Sequence, residues 1–104
     1  MYQRSGDVPI GVPSNMMQYA ALTMMLAQVT GYEAGEYIHT ISDAHIYVDQ
    51  IPAVEEIIKR ETKPFPTMML KNPTKDLFEF RVEDFELGGD YESGAPVKDI
   101  PVAI

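Results

Sequence analysis

One cation stands apart in a chain rich in acids. Arg4 is the only lysine or arginine before Lys59, and the 104 residues carry 16 Asp and Glu against 8 Lys and Arg, for a formal net charge of −8. A guanidinium in such surroundings either pairs with a nearby carboxylate, for which Asp7 is the candidate, or binds an anion. Composition alone favours the pairing with Asp7.

Both histidines lie in residues 36–48, a stretch whose β-branched and aromatic residues are typical of a β-strand. Because alternate residues of a strand share a face, an unbroken strand would place the following side chains together: Tyr37, His39, Ile41, Asp43, His45 and Tyr47. The simplest interpretation is the solvated face of a sheet. A metal site is disfavoured, because His39 and His45 are too far apart along one strand to share an ion and no third ligand is indicated.

Composition excludes several classes of site and partner. The chain contains no cysteine, so it forms no disulfide, offers no thiolate to a metal and carries no cysteine nucleophile of its own. The excess of acids argues against nucleic acid and membrane surfaces as partners. No signal peptide or transmembrane run is recognisable, so a cytoplasmic protein is expected.

The element that must position these residues is a helix predicted over residues 14–31. Ser14 or Asn15 is suited to cap its first turn and Gly31 to end it. The polar residues of the helix scatter around its axis, so every side is apolar and burial on all sides is expected. Since a chain of 104 residues has difficulty enclosing such a helix, we expect a piece of something larger.

The remaining pattern completes an α+β prediction. Residues 1–4 resemble the end of a strand, residues 5–7 a turn and residues 8–13 an extended loop. An amphipathic helix is predicted over residues 49–60, with a Glu55–Lys59 pair. Short strands are predicted at 67–70 and 82–87, with a capped helical turn within 72–80. A loop over 88–99 then leads to an apolar tail, residues 100–104, that needs a surface to pack against.

Read together, these segments resemble the carboxy-terminal part of the thymidylate synthase family over essentially the whole chain. The most specific matches are Gln-Arg-Ser-Gly-Asp at residues 3–7 and Asp-Ala-His-Ile-Tyr at residues 43–47. Supporting matches are Ile-Gly-Val-Pro-Ser-Asn at 10–15, Ile-His-Thr at 38–40, Phe-Arg-Val-Glu-Asp-Phe-Glu-Leu at 80–87 and Pro-Val-Ala-Ile at 101–104.

The resemblance implies an activity and a fold. The family methylates dUMP at carbon 5 with 5,10-methylenetetrahydrofolate as co-substrate, without a metal, giving dTMP and dihydrofolate. It is α+β, and the expected architecture here is a central buried helix on a mixed or largely antiparallel sheet, with residues 1–104 as part of a single domain. The family works as a homodimer formed by sheet-on-sheet packing.

The resemblance also implies roles for individual residues. Arg4 and Ser5 would hold the dUMP phosphate, Asn15 would recognise the uracil edge, and His45 and Tyr47 would contact the ribose hydroxyl. Gln3 would support the site beside the nucleophile. For the folate, the implied contacts are Asp7, Ile10, Gly11, Ala103 and Ile104, with Asp7 bonding the pterin ring and the last two residues closing over it as a lid.

The chain departs from the family pattern at three places and lacks the nucleophile. Ser14 stands where an aromatic residue is usual, Ile41-Ser42 stands where Gly-Gly is usual, and the loop over 91–100 is longer by a residue. The family's cysteine lies upstream of the Gln-Arg-Ser segment, so this chain alone is expected to be inactive.

Two alternatives remain open at this point. A deoxynucleotide hydroxymethylase of the same superfamily would add water where the synthase adds hydride, although those acting on dCMP tend to carry an acid at the position of Asn15. A non-catalytic module that binds a nucleotide, or only dimerises, would need no nucleophile.

Overall fold

The computed structural model describes residues 1–89 and 92–102 and is α+β, as predicted. Its regular elements are β1 (Tyr2–Asp7), α1 (Gly11–Thr30), β2 (Thr40–His45), α2 (Ile51–Ile58), β3 (Thr67–Leu70) and β4 (Phe85–Gly88). Short 3-10 turns form at Val48–Gln50, Leu77–Glu79 and Val82–Asp84. The chain divides into two compact units. The first unit contains residues 1–18, 38–62 and those described from Ser93 onward; the second contains residues 19–37 and those described between 63 and 92.

The first unit is built on a parallel pair of strands. β1 pairs with β2 in a register that runs from Tyr2 opposite Thr40 to Asp7 opposite His45. The predicted turn at residues 5–7 is wrong, because β1 continues through them. Because Gly6 has no side chain, Val12 at the start of α1 can pack directly against β1. A Cβ at Gly6 would lie 2.9 Å from Val12 Cγ2.

The helix α1 begins earlier than predicted and ends where predicted. Because it starts at Gly11, Ser14 and Asn15 lie inside it, and the prediction that either caps it is wrong. At the other end Gly31 has a φ of 78°. The Gly31 amide donates to the Gln28 carbonyl at 3.3 Å, and the Tyr32 amide to the Ala27 carbonyl at 2.8 Å. These are the two bonds of a Schellman motif.

Burial of α1 on all sides is not reached within this chain. Among the described residues, Val12 is the only apolar side chain classed as buried. Met17 is 65% exposed, and Met16, Tyr19 and Leu26 are also exposed. The apolar surface of α1 is therefore larger than the described residues cover.

The second unit contains an antiparallel pair, β3 and β4, in which Thr67 lies opposite Gly88 and Leu70 opposite Phe85.

The strand β3 has the predicted bounds. Only the second half of the predicted strand at 82–87 forms, because the Asp84 carboxylate accepts from the Arg81 amide at 2.8 Å and closes a 3-10 turn. The predicted helical turn is confirmed at Leu77–Glu79, where the Asp76 side chain accepts from the Phe78 amide. The described residues thus form one parallel and one antiparallel pair of strands.

Two further predictions about the middle of the chain need correction. The strand predicted over 36–48 is limited to β2, and the helix predicted over 49–60 is a 3-10 turn followed by α2. The ion pair on this helix joins Glu56 and Arg60, one residue after the predicted Glu55–Lys59 pair. No helix of the described residues is both long and apolar enough to cross a membrane.

Candidate functional site

The strand β1 separates its side chains into two sets. Gln3, Ser5 and Asp7 are half-buried, whereas Tyr2 and Arg4 are exposed. This alternation is the strand's period of two, and it breaks at Gly6, which lies on the face of Tyr2 and Arg4 but is buried against Val12. The predicted phosphate ligands Arg4 and Ser5 thus lie on opposite faces of one strand.

The Gln3 side chain joins the strand to α1 through a hydrogen-bond chain of fixed direction. Its Nε2 donates to the Ser5 carbonyl oxygen at 2.8 Å and to Asn15 Oδ1 at 3.0 Å. A backbone carbonyl accepts and never donates, so the amide end of Gln3 must face Ser5. Gln3 Oε1 then faces His39 Nε2 at 2.8 Å, which makes that nitrogen the donor.

This direction fixes how Asn15 is presented. Its oxygen is held by the Gln3 amide, so its Nδ2 is the end that points away from Gln3. The oxygen keeps a second acceptor position. Asn15 can therefore offer one donor and one acceptor side by side to a planar ligand.

The Asp7 carboxylate is held by two donors at the end of β1. Its Oδ1 accepts from the Ile10 amide at 3.3 Å, which forms the turn into α1. Its Oδ2 accepts from Gln50 Nε2 at 3.0 Å. Each oxygen has a further acceptor position, so the carboxylate can still bind a donor from a ligand.

Gln50 is a site residue that the sequence did not reveal. It is the one fully buried side chain of the described residues, with 0% exposure. Its Nε2 bonds Asp7 and also the Pro101 carbonyl oxygen at 2.8 Å, and its Oε1 accepts from the Tyr47 amide at 3.0 Å. A single glutamine at the start of a helix has no distinctive spacing, so no signal in the sequence marked it.

His45 and Tyr47 form the third part of the site. Their rings meet edge to face with centroids 5.0 Å apart. His45 Nδ1 lies 3.2 Å from the Asp43 carbonyl oxygen and 3.5 Å from Asp43 Oδ1, so it faces two acceptors and carries the proton. In the neutral ring, Nε2 is then an acceptor, suited to a hydroxyl donor.

Among the described residues, no acid forms an ion pair with Arg4. Both Arg4 and Asp7 are described, and no ion pair joins them. The pairing favoured by composition is therefore wrong. The guanidinium lies at the exposed face of β1 and is accessible to a ligand.

A comparison with known protein families identifies the family of the chain. The thymidylate synthase family model matches residues 1–104, the whole chain. The chain belongs to the thymidylate synthase family. Members of this family are folate-dependent methyltransferases that use dUMP, and the family was expected from the residues at 3–7 and 43–47.

Of the remaining predicted folate contacts in this member of the thymidylate synthase family, the structure describes Ile10 and Gly11. Ile10 is half-buried in the turn before α1. At Gly11 a Cβ would lie 3.7 Å from Asn15 Oδ1, an ordinary contact, so the chain itself does not require glycine there. Ala103 and Ile104 lie outside the described residues. Among the described residues, no group of three or more potential metal ligands occurs.

Proposed function

We propose that this chain supplies the dUMP-binding and folate-contacting part of a thymidylate synthase, as part of a single cytoplasmic enzyme domain. In the proposed reaction the methylene carbon of 5,10-methylenetetrahydrofolate is bonded to carbon 5 of dUMP. It is reduced to a methyl group by hydride from the same folate, with loss of the proton from carbon 5, and dihydrofolate is released. The support is the family match and the arrangement of side chains in the first unit.

The observation that carries the proposal is the fixed orientation of Asn15. Uracil presents an N3–H donor beside an O4 acceptor. Asn15, held by Gln3 Nε2 at 3.0 Å, offers Nδ2 to O4 and the second acceptor position of Oδ1 to N3–H. Cytosine reverses both groups, and the amide cannot rotate to suit it without breaking its bond to Gln3. This geometry favours dUMP over dCMP and supports the synthase over a dCMP hydroxymethylase.

The other nucleotide contacts are proposed on the same chemistry. His45 Nε2 would accept from the ribose hydroxyl, with the Tyr47 hydroxyl beside it. Arg4 would bind the phosphate, since it has no carboxylate partner among the described residues and a guanidinium matches phosphate oxygens. The Ser5 hydroxyl would bind the same group. Because Arg4 and Ser5 start from opposite faces of β1, the long arginine side chain would have to reach around the strand edge.

The folate contacts are proposed at the turn between β1 and α1. Asp7 would accept a donor of the pterin ring through an unused carboxylate position, with Ile10 and the open Gly11 backbone beside the ring. Ala103 and Ile104 would close over it. The thiolate that attacks carbon 6 must come from outside this chain, which has no cysteine, so we propose that the chain alone does not turn over. We also propose a homodimer, since the apolar surface of α1 is left uncovered here.

Nucleotide titrations of the 104-residue chain test the binding part of the proposal. We expect dUMP to perturb the side-chain amide resonance of Asn15, with dCMP and uncharged deoxyuridine binding more weakly. Gln28→Met is the matched control, because it removes the hydrogen bonds of a half-buried glutamine in the second unit, where no nucleotide contact is proposed. Equal binding of dUMP and dCMP, with Asn15 unaffected, would contradict the proposal.

A further inference from the structure

We infer that Gln50 is a positioning residue that holds the Asp7 carboxylate and the carboxy-terminal segment together. This inference rests on the proposed function in one respect, the assignment of Asp7 to the folate. The segment concerned is the described part from Ser93 to Val102, which belongs to the first unit with Asp7 and Gln50. No role was expected for Gln50 from the sequence.

The geometry uses every hydrogen-bonding group of the Gln50 amide at least once. Nε2 has two hydrogens, and it donates to Asp7 Oδ2 at 3.0 Å and to the Pro101 carbonyl oxygen at 2.8 Å. Both of these partners can only accept, so the orientation of the amide is unambiguous. Oε1 accepts from the Tyr47 amide at 3.0 Å. The side chain is fully buried, so water does not compete for these bonds.

Three separate parts of the proposed site therefore meet at one side chain. Asp7 ends β1, Tyr47 follows β2 and lies beside His45, and Pro101 lies near the end of the chain. In the described part of the chain, the carboxylate has one other donor, the Ile10 amide, at the longer distance of 3.3 Å. Without Gln50, the Asp7 carboxylate keeps only the hydrogen bond from the Ile10 amide and can rotate about it. The Pro101 carbonyl loses the hydrogen bond from Gln50 Nε2.

This arrangement predicts a selective effect on the folate. A carboxylate that is no longer fixed binds the pterin ring poorly, and the carboxy-terminal segment no longer stays beside it. Gln50 makes no direct contact with the proposed nucleotide and reaches it only through the Tyr47 amide, whereas Asn15 is fixed independently through Gln3. Losing Gln50 should thus weaken folate use more than dUMP binding, which a general loss of stability would not do.

The test uses the catalytically complete enzyme that carries this segment together with its cysteine. Gln50→Met keeps the side-chain length and removes all three bonds. Gln50→Glu keeps the shape and the acceptor, replaces the two N–H donors by an oxygen and places a second carboxylate against Asp7. We expect either change to raise the KM for 5,10-methylenetetrahydrofolate about ten-fold or more, as for loss of a buried hydrogen-bond donor. The KM for dUMP should rise several-fold less, because no bond to the nucleotide is removed and the variant reaches it only through the Tyr47 amide.

Gln28→Met is the matched control. Gln28 Nε2 also donates to two backbone carbonyls, those of Asn72 at 2.7 Å and Thr74 at 2.9 Å, but within the second unit. It should lower the melting temperature without separating the two KM values. A Gln50→Met enzyme whose two KM values change equally, or no more than those of Gln28→Met, would overturn the inference.

A second measurement separates this inference from the proposed function. Proteolysis within residues 93–102 of the 104-residue chain should be faster in Gln50→Met than in Gln28→Met at equal fractions folded. Equal cleavage rates would overturn the inference whatever the enzyme does. If the wild-type enzyme shows no dUMP-dependent turnover, the proposed function fails, and the cleavage rates alone then decide whether Gln50 fixes the segment.

Discussion

Replacing Asn15 by aspartate should reverse the choice between uracil and cytosine. The introduced carboxylate still accepts from Gln3 Nε2, which lies 3.0 Å from the Asn15 oxygen, so the side chain should stay in place. The change converts the Nδ2 donor into an oxygen that faces O4 of uracil. Against cytosine the same oxygen faces the N4 amino group and accepts from it.

The magnitude follows from one hydrogen bond lost and one gained. Leaving a buried acceptor such as O4 unpaired costs about 1–3 kcal/mol. At 1.4 kcal/mol per factor of ten, this lowers kcat/KM for dUMP by roughly five- to hundred-fold. The bond from cytosine N4 to a carboxylate raises the relative use of dCMP further, because charge-assisted bonds are the stronger class. A protonated carboxyl would in addition donate to cytosine N3.

The assay is kcat/KM for dUMP and for dCMP in the catalytically complete enzyme and its variants. The ratio of dUMP to dCMP should fall in the order wild type, Asn15→Ala, Asn15→Asp. Gln3→Met should also reduce the ratio without adding a charge, because the Asn15 amide is then free to rotate. An unchanged ratio in Asn15→Asp would show that Asn15 does not read the base, and the argument from the Gln3 chain would be wrong.

Three further predictions concern binding, association and stability. Arg4→Ala should weaken dUMP binding by about ten-fold, as for loss of a charge-assisted hydrogen bond, with a smaller loss for deoxyuridine; equal losses in calorimetry would make Arg4 structural. Sedimentation of the chain should show a dimer or larger species, and a folded monomer at high concentration would contradict this. Gly6→Ala should destabilise the fold by about 1–3 kcal/mol in denaturant melts, because its Cβ would meet Val12 Cγ2 at 2.9 Å. Gly11→Ala, with its nearest atom at 3.7 Å, is the control; equal melts would refute the steric argument.

Local chemistry explains what was predictable in the fold. Gly31 ends α1 because a glycine readily adopts a positive φ. The Asp76 carboxylate caps the 3-10 turn at Leu77–Glu79 by accepting from the nearby Phe78 amide. The bounds of β3 follow from its four residues and the turn residues around them. Each of these features depends on neighbours a few positions away, which sequence patterns record.

Contacts between distant segments explain what was missed. Residues 5–7 read as a turn because glycine and aspartate are turn residues, yet Gly6 is needed for the close approach of Val12. The cap assigned to Ser14 or Asn15 was wrong because α1 begins at Gly11, and the Asn15 oxygen accepts from the distant Gln3 side chain.

The same limit applies to the candidate site. The family motifs predicted candidate nucleotide contacts but not the orientation of the Asn15 amide, since this is set by Gln3 and the Ser5 carbonyl. Gln50 bonds residues 43 and 51 positions away in the sequence. No local pattern could reveal that.

Release of tritium from [5-³H]dUMP tests the central claim most directly. The 104-residue chain, combined with an upstream thymidylate synthase segment that carries the cysteine, should release tritium only when 5,10-methylenetetrahydrofolate is present. The chain alone should release no more than background, because it has no cysteine to form the adduct at carbon 6. Release by the chain alone, or no release by the folded combination with both substrates, would contradict the account.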